Sequence, residues 1–207
     1  MTEVDVVVAA LAVDGGRPVV LVGGGRRLPR VPLGPKTPGA AAAGLAERVL
    51  PGAPPRRVRQ LGAYGTGRAL DLVHVVLVPG GAPTADGHAW SAPDRVAGED
   101  RAAAAAARDW LAEAIGSETL ALDLLPDAFT AADLRRVYEA VWSTTLDVAN
   151  FRRWVRAQEG VIAATGEKRT GVGRPAALYT RAPDAPRRLR LPLARPEPGP
   201  APSGHRA

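Results

Sequence analysis

Residues 124–181 read LLPDAFTAADLRRVYEAVWSTTLDVANFRRWVRAQEGVIAATGEKRTGVGRPAALYTR, and this stretch decides the fold. Thr130 is a good helix N-cap, and Asp133, three residues on, completes a short-chain capping box. Leu134, Val137, Tyr138 and Val141 follow at i, i+3, i+4 and i+7, one apolar face of a helix. A second helix is expected from about Asp147 to Gln158, with Val148, Phe151 and Val155 inward and Trp154 beside them. Strands are expected at Val161–Thr165 and Ala176–Arg181, flanking a basic, glycine-rich hairpin loop from Gly166 to Pro175. Helix, helix, strand, basic loop, strand is the order of a winged helix-turn-helix.

On a helical wheel the second helix places Arg153 and Arg156 opposite Phe151 and Val155, with Arg152 at the flank. An apolar seat on one side and long hydrogen-bond donors on the other suit a helix that enters the DNA major groove. Lys168, Arg169 and Arg174 among the loop glycines suit contact with a phosphate backbone, because glycine allows close approach. A solvated amphipathic helix would show the same arginines, so the loop and the helix count together.

Charge placement agrees. The 207 residues carry a formal net charge of +6. Residues 1–123 hold 13 basic and 13 acidic side chains, and residues 124–207 hold 14 and 8, so the excess (14 − 8 = +6) is C-terminal. A basic excess confined to one module points to a polyanionic partner. There is no cysteine, which excludes disulfides, thiolate catalysis and Cys-ligated zinc. The N-terminal apolar run starts acidic and lacks a basic n-region, and no apolar stretch approaches the ~20 residues of a membrane span. A soluble cytoplasmic protein that makes no membrane contact is expected.

The N-terminal part reads as mixed structure. Val4, Val6 and Val8 alternate, Asp14-Gly15-Gly16 is a turn, and Val19–Val22 forms a second strand. Residues 26–39 read as loop, Ala40–Leu50 as a helix, Leu72–Val78 as a buried strand and Glu99–Ile115 as an alanine-rich helix. From Pro183 onward seven prolines fall in 25 residues, which predicts a disordered Pro/Arg-rich tail. The expected division is residues 1–120, 121–182 and 183–207.

The blocks LALDLLPDAFTAADLRRVYEAV (120–141), LDVANFRRWV (146–155) and TGEKRTGVGRPAALY (165–179) resemble, in order and spacing, the C-terminal half of the Nudix-related transcriptional regulators of the NrtR family. The resemblance implies a winged helix that binds double-stranded operator DNA as a homodimeric repressor or other regulator. It places DNA contacts at Asn150, Arg152, Arg153 and Arg156 and in a wing at Lys168, Arg169 and Arg174. It further implies a Nudix-like α/β/α sandwich before the winged helix, an α+β chain overall. VVAALAVDGGRPVVLV (7–22), Leu28-Pro29 and LGAYGTGRALDLVHVVLVP (61–79) resemble Nudix segments by position and texture.

The Nudix motif itself is degenerate. Active members need clustered carboxylates to hold magnesium against a pyrophosphate, since a hard divalent ion takes oxygen ligands. The corresponding stretch, GPKTPGAAAAGLAERVLPG (34–52), holds one acid, Glu47. No catalysis, metal or cofactor is therefore expected. Arg26, Arg27, Arg30, Lys36 and Arg68 are candidates to meet a nucleotide or sugar-phosphate effector such as an ADP-ribose-like metabolite, with a solubilising basic loop as the alternative. GPKT fails as a P-loop because Pro35 lacks the donor N–H. His74, His88 and His205 have no metal-ligand spacing. Two other functions compete: a Nudix-type pyrophosphohydrolase with an appended nucleic-acid module, and a protein-interaction module.

Overall fold

The computed structural model describes residues 3–65, 69–170 and 175–196. A six-stranded sheet forms the first half, built from β1 (Glu3–Asp14), β2 (Arg17–Val22), β3 (Arg30–Pro32), β4 (Arg57–Tyr64), β5 (Ala69–Leu77) and β6 (Ala89–Ser91). The strand order is β4-β5-β1-β2-β6, with β3 also paired to β1. β1 and β5 run parallel, and the other pairs are antiparallel.

Helix α1 (Pro38–Val49) covers one face of the sheet and α2 (Asp100–Ala114) the other. β1 shows why. Val6, Val8, Ala10 and Ala12 pack with Ala42, Leu45, Ala46 and Val49 of α1. Val7, Ala9 and Leu11 point the opposite way, towards Ala103, Ala104, Ala107 and Leu111 of α2. The period of two thus serves two cores, and β1 is a central strand rather than a half-exposed one. The layers form the expected α/β/α sandwich.

The second half comprises α3 (Leu120–Asp123), β7 (Phe129–Thr130), α4 (Ala131–Trp142), α5 (Val148–Arg156), β8 (Ile162–Arg169) and β9 (Ala176–Arg181). Its three-stranded sheet has the order β7-β9-β8. The capping box closes α4 at its start: Asp133 N–H donates to Thr130 Oγ1 at 3.1 Å, and Thr130 N–H donates to Asp133 Oδ2 at 2.9 Å. α5 begins at Asp147, whose Oδ1 accepts from the Asn150 N–H at 2.8 Å. One apolar cluster runs from the α2 face of the sheet through Leu120, Leu122 and Leu124 into Tyr138, Phe151 and Val155. The two halves therefore share a core.

Three expectations require correction, the first being that residues 26–39 are loop, since Arg30–Pro32 within them pair with β1 as β3. β8 extends to Arg169, so residues 166–169 of the expected loop are strand, with a register break between Ala164 and Lys168. Residues 183–196 of the expected disordered tail form an ordered strap instead. Composition predicted disorder because few large apolar groups are present, yet the strap is held by main-chain bonds that composition does not register. Thr119 N–H donates to Arg187 O at 2.9 Å, Leu189 N–H to Ser117 O at 2.9 Å and Leu193 N–H to Gly116 O at 2.8 Å. Leu189 is buried in the shared core. Gly116 lets the strap pass, since a Cβ there would stand 2.6 Å from Leu193 O.

Candidate nucleic-acid interface

α5 rests on an aromatic cluster. The Tyr138 ring lies 5.8 Å from Phe151, 5.6 Å from Trp154 and 5.2 Å from Trp142, centroid to centroid. Burial pushes the Tyr138 hydroxyl far above its ordinary range, so it stays neutral. Phe151 and Val155 are buried, while Asn150, Arg152, Arg153 and Arg156 are exposed. The wheel-based separation of an apolar seat from a cationic face thus holds in three dimensions.

The turn into α5 is fixed by a residue that the sequence reading missed. Glu139 Oε1 accepts from the Leu146 N–H at 2.8 Å and from Arg135 Nη1 at 2.6 Å. Ser143 adopts φ 53°, a left-handed conformation that ends α4. A helix followed by acids and arginines gave no signal that one carboxylate spans the turn.

The cations of this face divide into two groups. Arg153 Nη2 donates to Asn150 Oδ1 at 2.5 Å. Arg169 Nη1 donates to Asp133 Oδ2 at 2.7 Å and is thereby tied to the N-terminus of α4. The side chains of Arg152, Arg156 and Lys168 are exposed and make no hydrogen bond or ion pair to any described residue. Arg174 lies outside the described residues. Long donors without internal partners can reach phosphates or base edges at no cost in broken contacts.

The strap also reaches α5. Trp154 Nε1 and Gln158 Nε2 both donate to Leu191 O at 2.9 Å, and Gln158 Oε1 accepts from the Arg190 N–H at 3.1 Å. Gln158 is fully buried, so these bonds satisfy groups that have no access to water. On the other side Trp142 Nε1 donates to Ala112 O of α2 at 2.8 Å. α5 and the sheet domain are thereby linked through α4 and the strap.

In the N-terminal domain, a cavity of about 690 Å³ lies between the sheet and the start of α2. Asp100, buried at the head of α2, accepts from Arg27 Nε at 2.7 Å, Arg30 Nη2 at 2.6 Å and the Leu28 N–H at 2.9 Å. Arg30 also lies 3.6 Å from Asp71 and 3.8 Å from Asp5. The Asp100 hydrogen bond and charge raise the Arg27 guanidinium above its ordinary value. Burial pushes the Asp71 carboxyl up, against the opposing charge of Arg30.

Of the described candidate effector-binding residues, Arg27 and Arg30 are thus brought together on Asp100, and Arg30 alone among them lines the cavity. Arg26 and Lys36 are exposed outside it, and Arg68 lies outside the described residues. The described lining sets Glu3, Asp5, Asp71, Glu99 and Asp100 against Arg30. Such a lining accepts hydrogen bonds from hydroxyls and amines and repels phosphate groups. Glu47 is exposed on α1, facing away from the core formed by Leu45, Ala46 and Val49. Among the described residues, no group of three His, Cys, Asp or Glu side chains is placed to hold a metal ion. No described helix is long and apolar enough to cross a membrane.

The fold is a Nudix-like α/β/α sandwich joined to a winged helix. Residues 121–180 match the family model of the NrtR DNA-binding winged helix domain. Over 92% of this chain and 99% of the other, the structure is similar to that of Shewanella oneidensis NrtR complexed with a 27mer DNA, with a TM-score of 0.78 and 20% identity. Shewanella oneidensis NrtR on its own gives a TM-score of 0.77 over the same shares at 20% identity. A MutT/nudix family protein from Enterococcus faecalis gives 0.63 at 12% identity, over 87% of this chain and 88% of that one. No curated protein matches the sequence. The chain therefore joins a winged helix that matches the NrtR DNA-binding model to a Nudix-like domain, a fold similar to that of the Shewanella oneidensis protein over almost its whole length.

Proposed function

We propose that this protein is a transcriptional regulator that binds double-stranded operator DNA through its winged helix, as a homodimer in the cytoplasm. The observation that carries this reading is the face of α5. Asn150, Arg152, Arg153 and Arg156 stand exposed opposite a buried Phe151–Val155 seat, beside a wing that bears Lys168 and Arg169. α5 enters the major groove, and Arg152 and Arg156 contact phosphates or guanine edges. Lys168 reaches the backbone from the wing, with Arg174 as the further wing cation. Two copies would read a palindromic site, as helix-turn-helix dimers do.

The N-terminal domain is a non-catalytic platform for dimerisation and metabolite sensing in this reading. Its single motif acid, Glu47, gives too few oxygen ligands for magnesium. An ADP-ribose-like effector draws support from its ribose hydroxyls, which the cavity carboxylates can accept from. The same carboxylates repel its pyrophosphate, for which Arg30 is the one described guanidinium, so the cavity supports the ribose end of such a ligand and not its phosphates.

The reading is tested by titrating operator DNA with the wild type and with Arg152→Ala/Arg156→Ala at several salt concentrations. Log affinity should fall with log salt by about 0.9 per phosphate contact, with a shallower slope in the variant. Equal, salt-insensitive binding by both proteins would favour the protein-interaction module.

A further inference from the structure

Arg56, Arg57, Arg181 and Arg187 line a cleft of about 660 Å³ where the sheet domain, the base of the wing and the C-terminal strap meet. Two carboxylates share the cleft, Asp123 and Asp127. Asp123, buried in α3, divides itself between two partners: Oδ2 accepts from Arg57 Nε at 2.9 Å, and Oδ1 from Arg181 Nη2 at 2.5 Å. Asp127 lies 2.7 Å from Arg56 but is 89% exposed, so water screens that pair. The Arg187 side chain is exposed and has no hydrogen-bond or ion-pair partner among the described residues. Among the described residues four guanidinium groups thus face two carboxylates, an excess (4 − 2) of two positive charges.

That excess is felt by the buried members. Burial pushes the Arg181 guanidinium down and Asp123 opposes the shift, but Arg57 and Arg56 push it further down. Like charges crowd a half-buried cleft that one internal carboxylate cannot neutralise. An oxyanion would relieve this repulsion, and guanidinium forks fit phosphate oxygens in a bidentate manner.

We propose that this cleft is a binding site for a small phosphate-bearing anion, gripped by Arg56 and Arg187 at its rim and by Arg57 and Arg181 at its floor. The site is separate from the DNA-facing surface and does not rest on the DNA-binding reading. Arg181 pairs with Ile162 at the base of the wing, while Arg169 pairs with Ala176 towards its tip. The five steps from Ala176 to Arg181 correspond to about 17 Å of strand. It is also separate from the acid-lined cavity at the head of α2. Because its arginines come from the start of β4 and the residue before it, from β9 and from the strap, a bound anion ties three segments of the chain together, and occupancy reads as stabilisation.

The test uses the full chain and inorganic phosphate, at ionic strength balanced with chloride. Thermal unfolding midpoint and calorimetric heat are followed in the wild type, in Arg56→Ala/Arg187→Ala, and in Arg152→Ala/Arg156→Ala. The two rim arginines are substituted because neither is a core residue. The wild type should show a saturable rise in midpoint. Affinity should fall about tenfold or more in the rim variant and stay unchanged in the α5 variant. A rise that never saturates, equal affinity in the rim variant, or a loss confined to the α5 variant would each overturn the proposal.

Discussion

The carboxylate of Asp133 and the guanidinium of Arg169 meet at 2.7 Å across 36 positions of sequence, joining the cap of α4 to the wing. Oδ2 of Asp133 also accepts from the Thr130 N–H and hydroxyl at 2.9 Å each. Burial alone would raise this carboxyl, but the two Thr130 bonds and Arg169 outweigh it and leave it below its ordinary value. A depressed carboxylate contributes stability that is present above the unfolded value and lost as pH falls through the folded one.

Asp133→Asn should therefore destabilise the protein at pH 7 by about 1 kcal/mol, the scale of a lost cap. The gap to wild type should close as pH drops below about 3.9 towards the folded value. Denaturant unfolding of both proteins across that range is the measurement. A gap that stays constant into strong acid would mean that the ionised carboxylate is not what Thr130 and Arg169 hold.

The strap yields a second prediction. Gln158→Ala removes three bonds to the main chain of Arg190 and Leu191 and strips the two N–H groups of this partner, while Leu191 O keeps its bond from Trp154 Nε1. A cost of about 1–3 kcal/mol is expected. Proteolysis should then cut residues 187–195 faster than in wild type, whereas unaltered stability and cutting would show that the strap does not hold α5.

Much of the winged helix was legible in the sequence, because its signals are local. The Thr130–Asp133 capping box, the i, i+3, i+4 face of α4 and the arginines opposite Phe151 each lie within one or two helical turns. What stayed hidden depends on partners far along the chain. Asp100 meets Arg30 across 70 positions, and Asp123 meets Arg181 across 58. β3 and β6 are three residues long and β7 two, too short for a period to show. β4, RVRQLGAY, looks polar because it lies at the sheet edge next to β5. The strap was misread because its prolines are visible in sequence and its carbonyl contacts are not.

The seat of α5 predicts a separation between stability and recognition. Phe151→Ala should cost about 3–5 kcal/mol, since it empties a buried aromatic site. Arg156→Ala should leave the unfolding midpoint unchanged while weakening DNA binding. Circular dichroism melts alongside DNA titrations distinguish the two, and a large loss of stability in Arg156→Ala would place that side chain in the packing instead.

Incubation of the protein with ADP-ribose and magnesium should give no product above background, and Glu47→Gln should behave as wild type. Turnover abolished by Glu47→Gln would instead make α1 a working catalytic helix.

Selection of genomic fragments by the purified protein, repeated with Arg152→Ala/Arg156→Ala, tests the central claim most directly. Wild type should enrich a discrete palindrome at moderate salt, and the variant should lose that enrichment while remaining folded. Enrichment of no sequence by the wild type, or of the same palindrome by the variant, would contradict recognition of DNA through the exposed face of α5.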